Sequence, residues 1–179
     1  MEFDAQPVLK GERVTLRPLA PGDWDALYAV ASDRLIWEQH PAPDRWQEPV
    51  FRAFFEEALA TRGALLALDS RDGEVIGSSR FHGHDPVRRD VEIGWTFLAR
   101  SRWGGIYNGE IKRLMLDHAF RFVDSVVFMV GPANIRSQTA VKKLGAVPDG
   151  RAKRFGRENL VFRLDAGAWA TQSLSPAVG

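Results

Sequence analysis

The segment Arg102-Trp103-Gly104-Gly105-Ile106-Tyr107-Asn108 joins an alternating stretch to a helically periodic one. Upstream, Val91, Ile93, Trp95 and Phe97 alternate with Glu92, Gly94, Thr96 and Leu98, the period of a strand. Downstream, Ile111, Leu114, Met115, His118, Ala119 and Phe122 recur on one helical face. Such a junction aims several free backbone N–H groups, and the positive end of a helix dipole, at one point. Its chemistry is anion binding, with a phosphate or pyrophosphate held by main chain. Gly104 and Gly105 allow the unusual dihedrals and close approach a cradle of this kind needs.

Other residues are chemically suggestive with an ordinary reading beside them. Asn134 and Ser137 stand three apart at a predicted helix start and share a face, which an N-cap and a first-turn serine would explain. Glu92 points to the opposite side of its strand from Val91 and Ile93. His82-Gly83-His84 with Asp85 offers ligating groups, but the four histidines show no HExxH-type spacing, so an exposed polar edge is expected there and no metal.

The elements that must position these residues can be read in order. Residues 13–19 form a strand ended by Pro18 and the Pro21-Gly22 turn, and a helix follows with Trp24, Leu27, Tyr28 and Ala31 on one face. Residues 36–48, with Trp37, His40, Pro41, Pro43 and Trp46, are proline-broken and read as a loop. A second helix begins near Pro49 and presents Phe51, Phe54, Phe55, Ala58 and Leu59. Residues 64–68 and 74–81 form a hairpin, and a polar turn at 85–89 leads into the strand of 91–98. After the following helix come a buried strand at 126–130, a helix at 134–144 ended by Gly145, and a hairpin of 151–155 with 160–164. The fold class is α/β (α+β): a single domain over residues 1–170, with a mixed, mostly antiparallel twisted sheet, a central right-handed β-α-β crossover and flanking helices. Residues 171–179 read as a flexible tail.

Composition excludes several functions. The chain of 179 residues has no cysteine, which removes disulfides, thiolate metal sites and cysteine nucleophiles. A net charge of +1 gives no global case for nucleic acid, and the basic run 151–157 reads as an edge strand guarded by charge. The first residues lack an apolar signal region and no apolar run suits a membrane span, so a cytoplasmic location is expected.

This order and these motifs resemble the GCN5-related N-acetyltransferase (GNAT) superfamily. The closest likeness is to the branch that acetylates N-termini of ribosomal proteins, the RimJ/RimL type. Glu92-Ile93-Gly94 looks like the branch's central strand, and residues 102–107 look like the family's Q/R-x-x-G-x-G/A pyrophosphate loop. Asn134-Ile135-Arg136-Ser137 with Lys143-Leu144-Gly145 looks like its N-x-x-S…K-x-G segment, and Leu164-Asp165…Trp169 like its last strand and following Trp. One position departs: Tyr107 stands where the family has Gly or Ala, and Tyr107 and Asn108 can still present their N–H groups if their side chains point away, with a tighter or altered cofactor fit as the alternative.

The resemblance implies acetyl-CoA as cosubstrate and a primary amine as acceptor, namely a protein N-terminus, an amino acid or another small amine. It admits a homodimer. The cofactor side would comprise Phe97, Leu98, Arg100, Arg102, Trp103, Gly104, Gly105, Ile106, Tyr107, Asn108, Asn134, Ser137 and Lys143, with pantetheine pairing against backbone at the end of 96–100 and an oxyanion met by an N–H near Phe97 or Leu98. Arg100, Arg102, Lys112, Arg113, Lys142 and Lys143 are the cations available to the adenosine 3′-phosphate. Ser137 would donate to the leaving thiolate. Glu92 is the proposed base, with Asp90, His82, His84 and Asp85 behind it; pairing with an arginine is its structural alternative, and loss of the amine's proton through water is the mechanistic one. Trp37, His40, Trp46 and Phe81 would line the acceptor side, with core packing as the other reading of the tryptophans. A transferase of another acyl-CoA and a non-catalytic CoA-binding or regulatory module are the competing functions.

Overall fold

In the computed structural model, which describes residues 2–174 with side chains through 171, eight strands form one sheet flanked by helices. In chain order these are β1 (Leu9–Lys10), β2 (Val14–Pro18), α1 (Trp24–Ala31), α2 (Glu48–Thr61), β3 (Ala64–Asp69), β4 (Val75–Asp85), β5 (Asp90–Leu98), α3 (Ile106–Ala119), β6 (Ser125–Val130), α4 (Ile135–Lys143), β7 (Val147–Arg154), β8 (Arg157–Asp165) and α5 (Ala166–Leu174). The sheet order is β1-β2-β3-β4-β5-β6-β8-β7, with β5 and β6 the parallel pair that α3 connects. A parallel pair needs a crossover of this length because its ends lie at opposite edges of the sheet.

The sheet buries a separate core on each face. Leu65, Ala67, Val91, Ile93 and Phe128 pack with Ile111, Met115 and Leu116 of α3 on one face. Leu66 and Phe97 pack with Leu27, Trp37, Phe51, Phe54 and Phe55 on the other. Alternation along β3 explains how neighbours 65 and 66 serve different cores. Full burial of a side chain such as Phe51, which is 0% exposed, contributes about 1.5–3 kcal/mol.

Strict alternation fails in β5. The ladder with β4 pairs Arg80 with Gly94 and Ser78 with Phe97, so β5 carries one extra residue across this interval. Trp95 takes a left-handed backbone at φ 52°, and the parity of everything beyond it reverses. Phe97 consequently joins the opposite core from Val91 and Ile93. A bulge of this kind bends the strand and re-aims its side chains.

The parallel ladder is short. It pairs residues 90–92 with 125–127 and stops, although β5 continues to Leu98 and β6 to Val130. The two strands therefore part beyond Glu92 and Val127, leaving a slot open toward their carboxyl ends.

Three elements lay outside the sequence reading. β1 is a two-residue strand, a 3-10 turn at Arg34–Trp37 buries Ile36 and Trp37, and α5 follows β8 directly. Trp169 ties α5 down by donating its indole N–H to Asp117 at 2.8 Å. The expected flexible tail begins inside this helix, and residues 175–179 lie outside the described residues.

Candidate active site

Both helices that follow the parted strands begin at the same end of the sheet. Arg100–Arg102 makes a 3-10 turn after β5, and Gly104 and Gly105 then adopt φ of 109° and 100° before α3 starts. Gly105 is the N-cap, and no Cβ at either glycine would meet an atom within 4 Å, so backbone conformation is what demands glycine here. The first intrahelical bond runs from Gly109 N–H to the Gly105 carbonyl at 2.7 Å. The amides of Ile106, Tyr107 and Asn108 thus precede the helical ladder and remain available, at the positive end of a fourteen-residue helix.

Tyr107 points away from the cradle. Its hydroxyl donates to Asp69 Oδ2 at 3.0 Å and accepts from Arg71 at 3.0 Å, at the end of β3. The Asp69 carboxyl is held well below the usual range, chiefly by the Arg71 side chain. Arg102 lies over the Tyr107 ring, donates to Glu74 at 2.9 Å and approaches Asp69 at 3.2 Å. Arg102 therefore braces the loop from behind. Arg100 is likewise engaged, with Asp33 just beyond α1 at 2.5 Å, beside a cavity of about 760 Å³ between α1 and the end of β5.

At the start of α4, Asn134 is buried and its Oδ1 accepts the Ser137 amide N–H at 3.1 Å, an N-cap. The cap occupies the Ser137 amide and leaves its side chain alone: among the described residues the half-buried hydroxyl makes no hydrogen bond. Arg136, beside it, stacks over the Trp103 ring at 4.0 Å and joins the two helix starts. The Trp103 indole donates to the Leu98 carbonyl at 3.0 Å, which closes the end of the free β5 edge.

Glu92 faces a cavity of about 400 Å³ shared with His82, Asp90, Arg154 and Arg163. Both its oxygens accept from Arg154, at 2.8 and 2.5 Å, a fork-on-fork pair. The arginine-paired alternative is the arrangement found, with one guanidinium N–H on each oxygen. Asp90 is bound by Arg163 at 3.1 Å, and Arg163 also reaches Asp149 and Ser125.

Lys112 departs most from expectation. It is 6% exposed, so it is not a surface cation for a phosphate. Its ammonium group donates to Thr96 Oγ1 at 2.5 Å, and Thr96 shares a 2.7 Å hydrogen bond with Ser79. Burial pushes the Lys112 pKa down to about 7. Arg113 is tied to Glu110 at 3.5 Å, whereas Lys142 and Lys143 are exposed.

The acceptor-side expectations separate. Trp37 is 1% exposed with its indole N–H on the Ala31 carbonyl, so it is core; Trp46 is half-buried and accepts from the Tyr28 hydroxyl at its carbonyl. Phe81 is 2% exposed in the α3-side core, because odd positions of β4 face that way there. Phe97 is also core and can offer a ligand only main chain. His40 is half-buried beside Trp37 on the opposite face, with Arg45 at 3.5 Å and Arg136 and Arg157 nearby. The sequence reading missed Arg45 and Arg80; an arginine in the middle of β4 was the available signal.

A main-chain anion cradle at the carboxyl ends of two parted parallel strands is the arrangement of an α/β enzyme that binds an extended, phosphorylated substrate. Residues 13–147 match the family model described as "Acetyltransferase (GNAT) domain". An acetyltransferase from Agrobacterium tumefaciens str. C58 is 30% identical, covering 88% of this chain and 94% of that one with a TM-score of 0.69. A GNAT-family acetyltransferase from Chromobacterium violaceum ATCC 12472 shares the fold at a TM-score of 0.80, with 21% identity and coverage of 95% and 93%. Spermidine N-acetyltransferase from Vibrio cholerae, solved with CoA and spermine, does so at a TM-score of 0.66, with 16% identity and coverage of 89% and 99%. The chain belongs to the GNAT acetyltransferase family. It is an acetyl-CoA-dependent N-acetyltransferase. Among the described residues no helix is long and apolar enough to cross a membrane, and no metal-binding group of His, Cys, Asp or Glu gathers.

Proposed function

We propose that residues 1–170 form one acetyltransferase unit of the RimJ/RimL type, acting on a primary amine that attacks directly within a ternary complex. The observation that carries this reading is the slot between β5 and β6, open beyond Glu92 and Val127 and ending at the free amides of Ile106, Tyr107 and Asn108. When bound, acetyl-CoA supplies the acetyl thioester and the thiol leaving group. The α3 amides hold its pyrophosphate, with Gly104 and Gly105 keeping side chains out of the way. The unpaired edge of β5 orients an extended, peptide-like arm, and a main-chain N–H near the bulge meets the developing oxyanion. Ser137, its hydroxyl unengaged, donates to the departing sulfur.

Glu92 takes a different part from the one expected. Because Arg154 holds both its oxygens, it positions that arginine over the Trp95 ring, and the amine's proton leaves through water. The deciding experiment is calorimetric titration with acetyl-CoA and with free CoA, followed by a thiol-release assay over a panel of amines and short peptides. Binding with amine-dependent release supports the transferase reading. Binding without release from acetyl-CoA favours another acyl group or a non-catalytic CoA module. Absence of binding overturns the role given to the α3 cradle.

A further inference from the structure

On the face of the sheet opposite α3, Arg45 and Arg80 share the field of one carboxylate, Glu57, with Asp44 also near Arg45. Arg45 is half-buried, its guanidinium 4.4 Å from the Phe54 ring centroid and 5.4 Å from that of Trp37. Among the described residues no carboxylate lies within ion-pair distance of it. Burial and the nearby Arg80 push its pKa down to about 10. Arg80 is 1% exposed and stacked between Phe54 at 5.1 Å and Trp95 at 4.8 Å. Its Nη1 reaches Glu57 at 3.2 Å, but Nε and Nη2 have no acceptor. An uncompensated buried guanidinium is costly, since a buried charge needs a partner.

His40 adds a donor aimed at the same place. Its Nδ1 accepts the Ala42 amide N–H at 3.0 Å, so in the neutral ring the proton sits on Nε2. That Nε2 stands 3.5 Å from Arg45 Nη1, itself a donor. Two donors face each other with no acceptor between them. Burial first, and Arg45 next, push the His40 pKa down to about 3, so the ring stays neutral rather than adding a charge. Arg157 closes the outer side by donating to the Pro41 carbonyl.

The cluster adjoins the reaction strand. His40 contacts Trp37 at 5.3 Å between ring centroids, and Trp37 contacts Phe97 of β5 at 5.0 Å. Trp95, the left-handed residue of the bulge, roofs Arg80 and Arg154. We propose that the acceptor amine carries a carboxylate, as a free amino acid does, and that His40 Nε2 and Arg45 bind this carboxylate while Arg80 behind them contributes its charge. This inference rests on the transferase reading above. Polyamines are disfavoured by the same groups, since their ammonium centres would meet two arginines. One bound carboxylate would satisfy both facing donors and offset the charge that Glu57 leaves uncompensated.

The test uses the whole protein with acetyl-CoA and matched acceptors: amino acids, the corresponding amino acid amides, and spermidine. Thiol release should favour each amino acid over its amide by about 10- to 100-fold in kcat/KM, the range for a charge-assisted hydrogen bond. Arg45→Gln should remove that preference by raising KM for the acid, whereas Arg45→Lys should retain part of it. Calorimetry with CoA on the same samples separates the two levels: undetectable CoA binding refutes the transferase reading itself. With CoA bound, equal use of acids and amides, or preference for spermidine, overturns the carboxylate proposal. A preference for the acid that Arg45→Gln leaves intact overturns the assignment to these residues.

Discussion

Replacing Lys112 with Met tests whether burial holds the lysine's pKa well below its ordinary value. In the native protein its pKa is lowered to about 7, against 10.5 for an unburied lysine. Between these values the unfolded chain binds more protons than the folded one, so stability rises with pH through this window. The lysine's cost is greatest below pH 7 and vanishes above 10.5. Integrating from pH 7 to 9.5, this group alone should raise the unfolding free energy by about 3 kcal/mol. Methionine fills similar space without the charge, and Thr96 keeps its 2.7 Å hydrogen bond to Ser79. Urea unfolding of both proteins at the two pH values provides the comparison, because other titrating groups cancel in the difference. Lys112→Met should be the more stable protein at pH 7, with its advantage shrinking by about 3 kcal/mol at pH 9.5. Equal pH dependence in the two proteins would show that the ammonium is solvated or paired in solution and refute the reasoning.

Four further substitutions probe the site. Gly105→Val forces a β-branched residue into φ 100°, so CoA affinity should fall at least about 10-fold by calorimetry for a stability loss of about 1–3 kcal/mol; unchanged affinity would remove the loop from phosphate binding. Asn134→Ala deletes the cap and should cost about 1 kcal/mol in unfolding experiments. Ser137→Ala leaves that cap intact and should lower kcat with little change in stability or CoA binding; an effect on stability alone would reduce Ser137 to a structural residue. Glu92→Gln should depress kcat evenly across about pH 6–9, as expected for a group that positions Arg154, whereas a loss confined to low pH would restore it as the base.

How much of this was legible depends on the range of the interaction involved. The pairing of residues 64–69 with β4 was visible because a turn of a few residues makes it local. The cradle was visible because two adjacent glycines and the helical period after them are features of one short segment. The bulge was not, since Trp95 has no intrinsic preference for a left-handed backbone and adopts it only under the ladder with β4. Phe97 was accordingly placed on the wrong face. Lys112 looked like a surface cation because helical spacing alone does not reveal how wide a face α3 buries; the sheet covers Ile111, Lys112, Met115 and Leu116 together.

The sequence by itself determined the order of the main elements, the place of the crossover and the glycine-led start of α3, because periodicity, proline stops and glycine dihedrals act over a few residues. Tertiary structure alone decided the chemistry of the individual groups. It set Arg154 on Glu92 from 62 residues away, turned Tyr107 toward Asp69 across 38, and gathered His40, Arg45 and Arg80 from a loop and a strand. Charge state, hydrogen-bond supply and exposure depend on what lies within a few ångströms in space, and spacing along the chain carries no record of that.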